Sequence, residues 1–206
     1  MYYFADGGKV ILPPLFRGKT ARYDAEVIKT LLSGPMYPMD IAKALAEKSG
    51  FPGHPKTVYS IIARKPGSLS RLTKAEFVSR KENGSFELTP KGVLVAMVLT
   101  GQTSLPEKFR NELAKAVEEF ADEDFPSQIA ACFKDIMKFF TDPEFWQTIL
   151  ANARELCNTP EAYNMPSDMF ALTVMRQAFS QFYSKIFSRE WDKRMRKLFK
   201  YFAKQL

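Results

Sequence analysis

One turn constrains this chain more than any other feature. Glu82-Asn83-Gly84-Ser85 separates two short strand-like runs, residues 77–81 and 86–88. Asn-Gly is the strongest local signal for a tight β-hairpin, because both central positions of the favoured turn need a positive φ. The pattern upstream is mostly helical and is punctuated by glycine and proline, and no strand signal follows Leu88. The expected fold class is therefore mainly α: an α+β unit with one two-stranded hairpin, followed by an all-α C-terminal half.

Residues 1–20 read as an N-terminal arm. It is irregular apart from one short strand at the apolar triplet Val10-Ile11-Leu12, which Pro13-Pro14 ends. A helix is expected over residues 21–32, with Val27, Ile28, Leu31 and Leu32 as its apolar stripe and Ser33-Gly34-Pro35 as its stop. A second spans residues 38–49 and buries Met39, Ile41, Ala42 and Leu45. A third opens at His54 or Pro55, with Val58, Ile61 and Ile62 towards the core. Lys65-Pro66-Gly67 interrupts it, and residues 68–76 add a piece that buries Leu69 and Leu72. Beyond the hairpin, Thr89-Pro90 caps a helix over residues 91–99, and Gly101 closes the unit.

Charge divides the chain in the same place. Residues 1–101 hold 15 Lys/Arg against 8 Asp/Glu, whereas residues 102–206 hold 15 of each. The neutral half is itself divided: residues 102–170 hold 6 Lys/Arg and 13 Asp/Glu, and residues 171–206 hold 9 and 2. The basic last helix either lies against the acidic ones or helps to hold nucleic acid.

In the second half, Ser104-Leu105-Pro106-Glu107 is a capping box. The helix it opens carries Phe109, Leu113, Val117 and Phe120 on one face. Asp124-Phe125-Pro126 and Asp142-Pro143-Glu144 start further helices, residues 158–166 form a loop, and the pattern is helical from Pro166 onward. Leu172, Met175, Phe179, Phe182 and Ile186 recur at coiled-coil-like spacing, which marks them as a candidate dimerisation seam. Phe187, Trp191, Met195, Leu198 and Phe202 line the basic terminal helix. These stripes serve a dimer interface, enclose an apolar ligand cavity, or pack within the chain's own bundle.

Several classes are not expected. No apolar run approaches the ~18 residues of a membrane span, and the polar residues after Met1-Tyr2-Tyr3-Phe4 do not suit a secretory signal. The reading is cytoplasmic and nucleoid-associated, with Cys132 and Cys157 reduced and buried. His54 is the sole histidine and has no ligand companions, so a helix cap or a phosphate contact is its expected role. Asp122-Glu123-Asp124 sits between two helices, where capping accounts for Asp124. With no phosphate loop, nucleophile elbow or Cys/His spacing, neither an enzyme, nor a metal, nor a cofactor is expected.

The order helix, helix, third helix, hairpin resembles the winged-helix regulators of the MarR and PadR kind. The residues that carry the resemblance are Met39-Asp40-Ile41-Ala42-Lys43-Ala44-Leu45, Lys56-Thr57-Val58-Tyr59 and Phe86-Glu87-Leu88-Thr89-Pro90-Lys91-Gly92. It implies a winged helix-turn-helix domain at residues 21–101, with a C-terminal helical domain at 104–206 for dimerisation or ligand sensing. The Pro-Gly break after the third helix departs from the family pattern.

The implied function is a homodimeric, sequence-specific regulator of transcription that binds double-stranded DNA. The face of the third helix opposite Val58 presents Lys56, Tyr59, Ser60, Ala63 and Arg64, with Thr57 beside them. Arg80 and Lys81 on the hairpin suit phosphate or minor-groove contact. Arg71 and Lys74 are further candidates for phosphate. The alternatives are a protein-interaction module of a replication or plasmid-maintenance assembly, and a sensor that takes a small apolar effector into the C-terminal half.

Overall fold

The computed structural model describes residues 2–3, 9–10, 12–18, 20–102 and 142–186. It is mainly helical, with small two-stranded antiparallel sheets. β1 (Tyr2–Tyr3) pairs with β2 (Lys9–Val10). Of the strand expected over residues 10–12, Val10 lies in β2 and Leu12 lies outside it; β1 is too short to show alternation.

Four helices follow: α1 (Ala21–Leu31), α2 (Pro38–Ala46), α3 (Pro55–Ala63) and α4 (Ser68–Lys74). Pro38 and Pro55 occupy first helical positions, where a missing N–H costs nothing. The second helix stops three residues short of its expected end, because the Lys48 N–H bonds to the Leu45 carbonyl (3.1 Å) and tightens the last turn. Met39 is exposed and Ile61 half-buried, so the inner faces of α2 and α3 are narrower than their patterns suggest.

The hairpin forms at Asn83-Gly84, but not through the tight turn that the dipeptide favours: Asn83 has no positive φ, and the loop closes through the Gly84 N–H to the Lys81 carbonyl (2.9 Å) and the Lys81 N–H to the Ser85 carbonyl (2.8 Å). β3 (Val78–Arg80) and β4 (Phe86–Leu88) pair in the register Val78 with Leu88, Ser79 with Glu87 and Arg80 with Phe86. Gly84 takes φ +83, and Asn83 Oδ1 accepts from both the N–H (3.0 Å) and the Oγ (2.7 Å) of Ser85. Met36 adds a strand-like residue on the far side, exchanging hydrogen bonds of 3.0 and 2.9 Å with Phe86.

α5 (Pro90–Thr100) is apolar nearly all round between Val93 and Leu99, and such a helix has to be buried. It packs on α1 and also on two later helices, α6 (Pro143–Cys157) and α7 (Ser167–Ile186). Thr89 caps it as expected, accepting from the Gly92 N–H (3.2 Å), and Asp142 caps α6 by accepting from the Glu144 N–H (2.8 Å). A 3-10 helix, Pro160–Asn164, lies within the expected loop.

One hydrophobic core runs through these elements, from Ile28 and Phe77 through Met97 to Phe145 and Phe170. Leu15 and Phe16, from the segment read as an irregular arm, are part of it, and the Leu15 N–H donates to the Cys157 carbonyl (3.0 Å). On α7 the core face is Phe170, Val174 and Ala178. The capping box at 104–107, the Phe109 stripe, Asp122-Glu123-Asp124, Cys132 and the terminal stripe from Phe187 to Phe202 lie outside the described residues.

Candidate nucleic-acid interface

Val58 and Ile62 are fully buried and seat α3 against its neighbours α2 and α4. That anchoring turns Lys56 and Tyr59 outward, as their spacing predicts, and Thr57 is exposed beside them. Arg64 is exposed immediately beyond the helix, where the chain becomes extended at ψ 142°. Ser60 differs from its expected role. It is half-buried, and its Oγ donates to the Thr57 carbonyl (2.8 Å), so the hydroxyl is engaged within the helix. Ala63 packs against the core rather than standing clear of it. His54 is the residue before the first turn, but its side chain makes no cap hydrogen bond; its carbonyl accepts from Thr57 and Val58.

The two hairpin cations have different partners. Lys81 Nζ lies 2.8 Å from Glu87 Oε2, across the hairpin. Arg80 is exposed with no carboxylate partner among the described residues, and its guanidinium lies along the turn, 3.8 Å from where a Cβ on Gly84 would stand. Lys56 and Arg64 likewise form no ion pair among the described residues.

Arg71 is not a free cation, which corrects its sequence reading. Its guanidinium donates to buried Asp24 (2.7 and 3.4 Å), the Pro66 carbonyl (2.6 Å) and Ser68 Oγ (3.2 Å). Burial of Asp24 against α4 consumes this charge, and residue spacing cannot report that. Lys74 is exposed. Tyr37, 49% exposed at the N-cap of α2, is an outward aromatic that hydropathy patterning passes over.

In the sequence Lys91 stands out only as part of the hairpin exit. It is fully buried. Its Nζ donates to the carbonyls of Ala75 (2.8 Å), Tyr163 (2.7 Å) and Met165 (2.7 Å) and stands 4.1 Å from the centre of the Phe77 ring. An ammonium has three N–H bonds, and here three carbonyls take them. Gly92 follows because the helix start presses on the hairpin base; a Cβ there would collide with the Phe77 carbonyl.

Of the expected dimerisation residues, Leu172 is 65% exposed and Met175 half-buried. Phe179, Phe182 and Ile186 lie on α7, and their side chains fall outside the described set. No helix among the described residues is long and apolar enough to cross a membrane. Cys157 is buried and free, and burial raises its thiol pKa to about 12. Protein-family models, curated proteins and solved structures offer no match to this chain.

Proposed function

We propose that this chain is a winged-helix, sequence-specific regulator of transcription that binds double-stranded DNA as a homodimer. One observation carries the reading. α3 is held by Val58 and Ile62 with Lys56, Thr57 and Tyr59 facing outward, and the hairpin that follows presents Arg80 without an ion-pair partner among the described residues. A short helix with a polar, cationic outer face suits a major groove, and a basic hairpin in the same chain suits phosphates. The dimer is supported by Leu172 and Met169, exposed on α7 away from its core face. Two joined readers gain affinity from two half-sites.

Selection of bound sequences from random duplex DNA tests the reading. Lys56→Ala and Arg64→Ala should each cost ~1–3 kcal/mol at the selected site and relax preference at one base pair. Binding by a folded double variant that matches wild type would refute the assigned face.

A second reading draws on Tyr37 and Tyr59, 49% and 37% exposed: a protein partner docked on α2 and α3. Under that reading no duplex is enriched by selection, and Tyr59→Ala abolishes the association whereas Lys56→Ala does not.

A further inference from the structure

The junction between α4 and β3 holds an unexpected residue. α4 ends in a Schellman motif: the Glu76 N–H donates to the Thr73 carbonyl (3.1 Å), the Phe77 N–H to the Leu72 carbonyl (2.9 Å), and Glu76 takes φ 57°. Glycine is the usual occupant of that position, because any Cβ is strained there. Here it is glutamate, and its side chain is used. Glu76 Oε2 accepts from the backbone N–H of Ser167 (2.7 Å), at the first turn of α7, where the helix dipole favours a negative charge. Ser167 Oγ in turn accepts from the Lys91 N–H (3.3 Å). The Lys91 ammonium bonds one carbonyl on the hairpin side, Ala75, and two on the α7 side, Tyr163 and Met165.

We propose that Glu76 and Lys91 form an interlock that orients the hairpin against the start of α7, so that the two move as one body. The strained backbone at Glu76 is the signature, since a helix stop alone is better served by glycine. The interlock holds whether or not the hairpin touches DNA, and so goes beyond the functional reading above. Its consequence is that any partner seated on α7 fixes, through this junction, the placement of the hairpin.

Amide hydrogen exchange on the full chain, followed peptide by peptide, tests it with Glu76→Gly, Glu76→Gln and Lys91→Met. Glycine relaxes the backbone but removes the carboxylate. The interlock requires that Glu76→Gly speed exchange about ten- to a hundredfold in residues 77–88 and 163–170, as expected for losing hydrogen bonds to a charged group, while residues 21–31 and 55–63 keep wild-type protection. Glu76→Gln retains an acceptor for Ser167 and should recover most of that protection. Lys91→Met should open the same two segments. Protection in Glu76→Gly equal to or above wild type would reduce Glu76 to a turn residue and overturn the proposal. So would a uniform rise across the chain, which is general loss of stability. If Lys91→Met does not fold, the two Glu76 variants decide the question alone.

Discussion

Arg80 and Lys81 are sequence neighbours with different electrostatic situations. Glu87 already neutralises Lys81, while Arg80 is open to an incoming phosphate. On the DNA-binding reading, Arg80→Ala should weaken all duplexes alike and flatten the dependence of log affinity on log salt by about one unit. Lys81→Ala should do less, and Glu87→Gln, which frees Lys81, should strengthen binding. Titrations over a range of salt concentrations check all three; equal effects for Arg80 and Lys81 would contradict the distinction. Lys91 gives a pH signature. Burial pulls its pKa down from 10.5 to about 8, against the Glu76 carboxylate and the Cys157 sulfur. The unfolded chain therefore holds an extra proton between those values, and the contribution of Lys91 to stability rises with pH across that window. Cys157 acts oppositely: its pKa is raised from 9.0 to about 12, so its contribution is complete below 9.0 and is lost as pH rises toward 12. Urea midpoints of wild type and Lys91→Met are compared between pH 8 and 9.0, where Lys91 titrates and the thiol is still mostly protonated in both states. The gap should move in favour of wild type as pH rises above 8; a constant gap would mean the buried amine keeps its ordinary pKa.

Elements are joined here by backbone proximity that a side-chain pattern does not record. Leu88-Thr89-Pro90-Lys91-Gly92 is legible as a helix start from Thr89 and Pro90. The glycine is explained only by the fold, which lays the first turn of α5 on the Phe77 carbonyl. Gly92→Ala should destabilise by ~1–3 kcal/mol, the usual cost of forcing extra volume into a packed site, although alanine is the better helix former. Thermal or urea unfolding measures it, and a neutral or stabilising result would mean the contact relaxes freely. The same limit explains the early end of α2 and the half-burial of Ser60. The first follows from the Lys48 N–H bonding to the Leu45 carbonyl, and the second from how α3 packs on its neighbours; residue spacing records neither.

At the scale of the molecule, the apolar α5 packs on α1 and on α6 and α7. Residues on both sides of the expected boundary near 101–104 therefore share one core, reinforced by Leu15 bonding to Cys157 and by the three carbonyls around Lys91. α7 spends Phe170, Val174 and Ala178 on that core and leaves Leu172 outside it. If that outer face meets a second copy, Leu172→Asp should leave monomer stability within about 0.5 kcal/mol, as for most exposed positions. It should nevertheless shift the protein toward monomer, because a charge would enter an apolar contact. Light scattering with a matched unfolding curve distinguishes this from simple loss of stability; an unchanged mass in a dimeric wild type would move the interface elsewhere.

Sequence alone determined whatever is local. Asn83-Gly84 set the hairpin, the breakers and N-terminal prolines set the helices to within a few residues, and the spacing of Val58 and Ile62 set which face of α3 turns outward. Those properties depend on dihedral preference and on periodicity, which adjacent residues carry. Tertiary structure alone decided which cations are free. Arg71 and Lys81 look as available as Arg80 in the sequence, yet Asp24, 47 residues from Arg71, and Glu87 occupy them. It also decided that Leu15 and Phe16 are core and that Lys91 is a buried tie. Burial and charge pairing are properties of what other segments bring to a residue: α1 brings Asp24 to Arg71, the facing strand brings Glu87 to Lys81, and segments beyond residue 141 bring the Cys157 carbonyl to Leu15 and the Tyr163 and Met165 carbonyls to Lys91.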